Sequence, residues 1–219
     1  GLGLLLDSNM IPIGMKMYPG NESEKPVLRK TIQDLKKQNN IDGRTIQIAD
    51  KGLNCARNIL EAIDHCDGYI FSKSVKQLSE TERTWVLLEN DYTPVYDGSG
   101  EIHYSYKSCV EEFEYSYTDD SGKKVKRKVK EKRVVTFNPK LQKKQVREIS
   151  KLVEKARKCR AAQAKREEYG DSAKYIEFKS ADGKKAITNL NEKAIQKDME
   201  TAGYNLLVTS EIKMDDQEI

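Results

Sequence analysis

The sequence predicts an α/β protein, a mixed sheet carrying helices, interrupted by a β-rich and helical insertion. Three observations predict it. The first seventy residues read strand, strand, helix, strand, helix, strand, with short apolar runs alternating with helical spacing. Between Lys73 and Asn138, segments rich in Tyr, Val and Thr take over, separated by turn signals at Asn90-Asp91, Asp97-Gly98-Ser99-Gly100 and Asp119-Asp120-Ser121-Gly122. A helix through Ala194 to Met199 and an apolar strand at Tyr204 to Thr209 then return to the first pattern. The expected division is residues 1–76 as core, 77–185 as a ribbon and basic-helix insertion, and 186–219 as the return to the core.

Each element has a local reason. Leu2 to Leu6 and Ile11 to Tyr18 flank Asp7-Ser8-Asn9-Met10, which reads as a hairpin. Pro19-Gly20-Asn21 breaks the second strand, and Ser23 can cap a helix whose apolar face is Val27, Leu28, Ile32 and Leu35. Asp42-Gly43 turns into Thr45 to Ala49, short, apolar and β-branched. After Asp50 and Gly52, a helix from about Cys55 to Asp64 buries Ile59, Leu60 and Ile63, and Gly68 to Ser72 is the next strand. Glu112 to Thr118 and Lys123 to Phe137 form a long two-stranded ribbon, which must dock on something to be stable. Asn138-Pro139 caps a helix predicted to reach Glu168, with Val146, Ile149, Val153 and Ala156 as its seam. Tyr175 to Phe178 and a turn at Asp182-Gly183 lead into the last helix.

Composition narrows the function classes. At 37% hydrophobic and 34% charged residues, the 219-residue chain is polar yet able to bury a core. No apolar run approaches the roughly 20 residues of a membrane span. Cys55, Cys66, Cys109 and Cys159 form no C-x-x-C pair, so zinc spacing is absent and reduced thiols in a cytoplasmic protein are expected. Charge is distributed unevenly. Ser121 to Arg166 holds nineteen Lys or Arg against three Glu, a local +16 in a chain whose net charge is +4. That asymmetry points to an anionic polymer as partner, the alternative being a solvated basic helix and hairpin. The absence of an initiator Met and the polar Asp-Asp-Gln-Glu-Ile tail suggest a fragment of something longer.

Asp50 stands where a short apolar strand gives way to Lys-Gly-Leu-Asn and a helix, the place where open α/β sheets put ligands. Two readings stand: a cap for the following helix, or a metal ligand at a strand tip. A hairpin, a helix and a strand ending in Asp is the layout of an RNase H-like core, in which that carboxylate holds metal. Mg²⁺ chemistry on phosphates needs several carboxylates, because one alone holds the ion weakly.

Several stretches sharpen this: Gly3-Leu4-Leu5-Leu6-Asp7-Ser8-Asn9, Ile11-Pro12-Ile13, Tyr18-Pro19-Gly20-Asn21 and Ile48-Ala49-Asp50-Lys51-Gly52-Leu53-Asn54. With Asp67-Gly68-Tyr69-Ile70-Phe71-Ser72 and Gly203-Tyr204-Asn205-Leu206-Leu207-Val208-Thr209-Ser210, the chain resembles the DDE transposases of bacterial insertion sequences. The branch is the one whose RNase H-like core carries a β-rich insertion. The likeness covers residues 2–76, thins in the ribbon, and returns at Val134 to Ala161 and the final strand.

The resemblance implies a recombinase that hydrolyses a DNA strand and uses the freed 3′-hydroxyl to attack target DNA, with two Mg²⁺ (or Mn²⁺) ions. Asp50 matches the family's second acidic residue. The first Asp belongs to a strand before the hairpin and the Glu to a helix after the last strand, neither inside this chain. Asp7 sits in the hairpin turn and Glu211 directly follows the strand, so neither fills those places, and the chain alone is expected not to catalyse.

Lys51 either neutralises a phosphate or is simply exposed, and Asn54 is a candidate cap. The resemblance offers Trp85 as a base-stacking residue, packing being the other reading. The basic residues Lys123, Lys124, Lys126, Arg127, Lys143, Lys144, Arg147 and Lys151 are expected to contact phosphates of double-stranded DNA, at element ends and target, without reading sequence. A homodimer on paired ends and a bacterial cytoplasmic, nucleoid-associated location go with that reading. The alternative is a catalytically dead remnant that only binds DNA.

Overall fold

The structure is a computed structural model that describes residues 2–7, 9–17, 24–181 and 184–219, with the side chains of 24, 27, 28 and 179–187 outside the description. The expectations at Ser23, Pro19-Gly20-Asn21, Val27, Leu28 and Asp182-Gly183 lie outside the described residues. The protein is mixed α/β and clusters into two compact units. One comprises Gly1–Ser74, Ser108–Val134 and Leu206–Ile219; the other comprises Val75–Lys107 and Val135–Asn205. This division differs from the three-part expectation, because the outer ribbon joins the first seventy residues.

In the first unit, β1 (Leu2–Leu6) and β2 (Pro12–Met17) form the expected antiparallel hairpin. Asp7 closes its turn, its carboxylate accepting from the backbone N–H groups of Asn9 and Ile11 at 2.8 and 2.9 Å. Helix α1 (Glu24–Gln38) lies on the hairpin face that carries Gly3 and Gly14. A Cβ on Gly3 would stand 2.7 Å from Thr31 Cγ2, and one on Gly14 would stand 2.7 Å from Asn39 Nδ2. Glycine at these two positions admits close approach of a helix, and Thr31 and Leu35 of that helix are buried. The opposite face of the hairpin keeps Leu2, Leu4, Leu6, Ile13, Met15 and Met17 exposed.

Strands β3 (Ile46–Ala49) and β4 (Gly68–Lys73) are parallel, joined by α2 (Ala56–Asp64), a βαβ unit. Strand β10 (Tyr204–Thr209) runs antiparallel to β4. Next come β7 (Lys124–Phe137) and β6 (Ile102–Thr118), so the sheet order in this unit is β3-β4-β10-β7-β6. Tyr69, Phe71, Val134, Leu206 and Val208 are nearly or fully buried, as central strands require. Buried Asp67 ties three elements together: it accepts from Lys36 Nζ at 2.8 Å and from the Thr45 N–H at 2.9 Å. Burial works to raise this carboxyl, but those bonds outweigh it and hold it below its ordinary value.

Within the same unit, β7 carries an almost fully buried ion pair. Glu131 is completely buried; one carboxylate oxygen accepts from Arg133 Nε at 2.8 Å, the other from the hydroxyls of Tyr69 at 2.8 Å and Tyr115 at 2.6 Å. The Arg133 guanidinium lies 3.2 Å from the Phe113 ring centroid. Burial first, and the Glu131 charge second, push both tyrosine hydroxyls far above their ordinary pKa.

The second unit is built round α4 (Pro139–Ala161). Its buried seam is Ile149, Val153 and Ala156 with Val146 packed alongside, as the spacing predicts. Asn138 caps it through a bond from the Leu141 N–H at 3.0 Å, with Pro139 in the first turn. The helix stops at Ala161 rather than Glu168. Gln163 adopts a left-handed φ of 51°, and the Ala164 N–H returns to the Cys159 carbonyl at 2.9 Å, closing the end before a short α5 (Arg166–Tyr169). Tyr169, Tyr175 and Ala202, with the inner face of α6 (Glu192–Glu200), complete this core. Strands β8 (Ile176–Ala181) and β9 (Lys184–Leu190) pair antiparallel beside it, extending the strand expected at Tyr175 to Phe178.

Helix α3 (Glu80–Leu87) replaces part of the strand-rich stretch expected after Lys73. A complete capping box starts it: Ser79 and Glu82 satisfy one another's backbone N–H groups. Strand β5 (Thr93–Tyr96) then pairs with the start of β6.

Gly203 is the most closely packed of the described glycines in this unit. Its φ is +87°, and a Cβ there would meet Gln142 Cβ at 2.7 Å, Phe137 Cε2 at 3.0 Å and the Asn138 carbonyl at 3.1 Å. Gly203→Ala is expected to destabilise the protein by roughly 2–4 kcal/mol, combining about 1–2 kcal/mol for a left-handed L-residue with overpacking. Urea unfolding checks it, and a midpoint unchanged from the parent would refute the geometry.

Candidate functional site

Asp50 directly follows β3 in the first unit and is exposed. The turn after it is closed by the Leu53 N–H on the Asp50 carbonyl at 2.9 Å, and its side chain accepts from the Lys51 N–H at 2.6 Å. It does not cap α2. Cys55 occupies the cap position without a side-chain bond, and Asn54, expected as a cap, instead donates to the Ser72 carbonyl at 3.0 Å, holding the end of β4. No group of three or more His, Cys, Asp or Glu side chains among the described residues is arranged to hold a metal ion. Asp50 is thus a strand-tip carboxylate with backbone support and, among the described residues, no acidic cluster around it.

What lies next to β3 matters more. Among the described residues, β1 pairs only with β2, and β3 only with β4, so each offers an open edge. Between them is a slot of about 180 Å³, lined on one side by Leu2 to Leu5, on the other by Thr45 to Ile48, and floored by Thr31, Ile32 and Leu35 of α1. Apolar lining between two unpaired strand edges is what an added strand would bury. The exposed Ile48, 70% accessible, stands on this open edge just before Asp50.

Glu211 lies beyond β10 in an ion pair with Arg44, and it also accepts from the Ser210 hydroxyl at 2.8 Å. Burial acts to raise its carboxyl, and the Arg44 and Ser210 bonds bring it below the ordinary value. Gly68 makes that pair possible, since a Cβ there would overlap both partners. Glu211 is a structural anion. His65, at the end of α2, donates from Nδ1 to the Glu61 carbonyl at 2.7 Å and meets Gln33 through Nε2 at 3.2 Å.

The basic residues divide between the units. On β7, Lys124, Lys126, Lys128 and Lys130 alternate on an exposed face, while Val125, Arg127 and Val129 lie on the other, less exposed one. Lys126 pairs with Glu114 at 2.8 Å, and Arg127 donates to Asp64 at 2.6 Å. Lys132 pairs with Asp216 at 2.5 Å and is nearly buried. The ribbon's charge is therefore smaller than its composition, because several cations serve the fold. Lys123 is exposed in the hairpin turn, where its N–H is held by Asp119 at 2.9 Å. In the second unit, Lys143, Lys144, Arg147 and Lys151 are all exposed on α4. Trp85 is half-buried on α3, with Lys107 Nζ 5.3 Å from its ring centroid, so one face already packs against a cation of the chain.

The Glu131–Arg133 pair is not anticipated by the sequence pattern, in which both residues read as part of a basic run. A signal is nonetheless present: Glu131 is the only acidic residue between Asp120 and Glu148. No helix among the described residues is long and apolar enough to cross a membrane. No protein-family model matches the chain, and no curated protein matches it.

Proposed function

We propose that this chain is part of an RNase H-like recombinase core of the DDE transposase kind, which cuts and joins DNA strands with divalent metal ions. One observation carries the reading. The order hairpin, helix, strand, Asp50, helix, strand comes with an apolar slot between β1 and β3, each of which has an open edge among the described residues, and Asp50 directly follows β3. In the resemblance, the first metal-binding Asp rides on a strand that precedes the hairpin. A strand lying in the slot would pair with both edges and bring its own tip beside Asp50. Asp50 then supplies one of several oxygens for Mg²⁺ or Mn²⁺, and the remaining ligands come from that strand and from a helix beyond β10. The metal, when bound, would activate the attacking oxygen and stabilise the leaving one.

The exposed lysines of β7 and the cations of α4 would hold the DNA by its phosphates, independent of sequence. Two such chains acting on paired DNA ends complete the proposal. A second reading, a DNA-binding remnant without chemistry, is favoured by the isolation of Asp50 among the described residues.

The test common to both is duplex DNA binding across a salt series. Affinity should fall steeply with salt. Reversing Lys143, Lys144 and Arg147 to Glu should flatten the log–log slope by roughly 2–3, at about 0.9 for each phosphate that is no longer neutralised. Absence of binding at low salt, or an unchanged slope in the triple variant, would overturn the DNA-contact assignment.

A further inference from the structure

In the second unit, residues far apart in the chain line a cavity of about 240 Å³: Glu89, Tyr92, Ser105, Phe137, Gln142 and Tyr204. None of them has a part in the recombinase reading. The Phe137 and Tyr204 ring centroids are 4.7 Å apart with planes at 42°, and those of Tyr92 and Tyr204 are 6.4 Å apart at 60°. A flat heterocycle sandwiched between rings needs parallel walls roughly 7 Å apart, twice a carbon contact distance. Rings tilted by these angles make a converging cup instead, suited to a compact, rounded guest.

The electrostatics of the cup select the sign of that guest. Aromatic faces are negative and attract cations. Glu89 is exposed and has no hydrogen-bond or ion-pair partner among the described residues. Its backbone is nonetheless held in place. Lys107 Nζ donates to the carbonyl of Leu88 at 2.5 Å and lies 3.4 Å from that of Asn90, clamping the residues on either side of Glu89. The same ammonium is 4.4 Å from the Tyr92 centroid, so this ring already accepts a cation of the chain itself. Burial raises the Tyr204 hydroxyl above its ordinary pKa, and the Glu89 charge raises it further, so the carboxylate is within electrostatic reach of that wall.

We propose that this cup binds a quaternary or alkylated ammonium group, with Tyr92, Phe137 and Tyr204 as walls and Glu89 as counter-charge. A methylated ammonium fills a rounded cup and gives up water readily, whereas a primary ammonium keeps its hydration shell. The proposal does not depend on the recombinase reading.

Choline and its uncharged carbon isostere, 3,3-dimethyl-1-butanol, are the probes, titrated into the whole chain while ring resonances are followed by NMR. Choline should shift the resonances of Tyr92, Phe137 and Tyr204, and the isostere should bind at least about fivefold more weakly, the scale of a partly desolvated cation–π contact. Glu89→Gln, an exposed and isosteric change, should weaken choline several-fold and leave the isostere unchanged. Phe137→Leu should weaken choline as well; should that variant fail to fold, Glu89→Gln and the isostere still decide. Equal binding of the two probes would mean an apolar pocket and overturn the proposal. So would no shift at millimolar choline, or a Glu89→Gln variant that binds choline as the parent does.

Discussion

Replacing Glu131 with Ala is expected to cost the protein about 3–5 kcal/mol, the range for breaking a buried ion pair from one side. Glu131 has no exposure, and Arg133, at 3%, has almost none. Removing the carboxylate takes the Glu131 bond from a buried guanidinium that lies against Phe113 and leaves the Tyr69 and Tyr115 hydroxyls without that acceptor. Water cannot replace these bonds without opening the layer between β4, β6 and β7. Glu131→Gln keeps an oxygen for the hydroxyls but loses the charge, so its loss should be smaller. Glu131→Leu combined with Arg133→Met should be less harmful than Glu131→Ala alone, because apolar side chains of similar volume replace both members of the buried pair. Denaturant midpoints of the three variants test this order. A Glu131→Ala protein within about 1 kcal/mol of the parent would show that the pair is solvated, against the burial described above.

The second large effect concerns Asp50 and rests on the recombinase proposal. A single exposed carboxylate holds Mg²⁺ weakly, because the ion dehydrates reluctantly and keeps most of its waters. This chain alone is therefore expected to leave supercoiled DNA uncut in Mg²⁺ or Mn²⁺. In a protein that also carries the strand for the slot and the acidic helix beyond β10, Asp50→Asn should reduce cleavage by roughly a thousandfold or more. The figure follows from several kcal/mol of metal-borne charge stabilisation at about 1.36 kcal/mol per tenfold. DNA affinity should stay unchanged, since Asp50 would touch metal rather than phosphate. Cleavage by the isolated chain would refute the need for ligands from those two elements, and cleavage that survives Asp50→Asn would refute Asp50 as a ligand.

The residues behind these effects differ in how legible they are before folding. Turns and caps are legible because their causes are local. Asp97 and Asp119 each accept from the backbone two and four residues on, in hairpin turns closed by a left-handed glycine at Gly100 and Gly122. Asn138-Pro139 begins α4, and Tyr204 to Thr209 is β10, as their patterns say. Ser79-x-x-Glu82 carries an equally local signal, but the aromatic and β-branched residues around it outweigh four residues and point to strand instead. The strand-tip place of Asp50 is visible too, from the change of period on either side of it.

What the sequence determined by itself, then, is the mixed α/β order, the turns that separate its strands, and the exposed cations of α4. Only the tertiary structure decided which charges are solvated and which are part of the core. Glu131, Lys132 and Arg133 look like their neighbours in a charged run, and Lys107 like a lone strand lysine, yet each is buried against partners brought in by the fold. The slot between β1 and β3, and the cup of Tyr92, Phe137 and Tyr204, were likewise settled by long-range packing. The reason is physical: turns and caps are governed by bonds spanning two to four residues, whereas burial depends on partners that are tens of residues away or more.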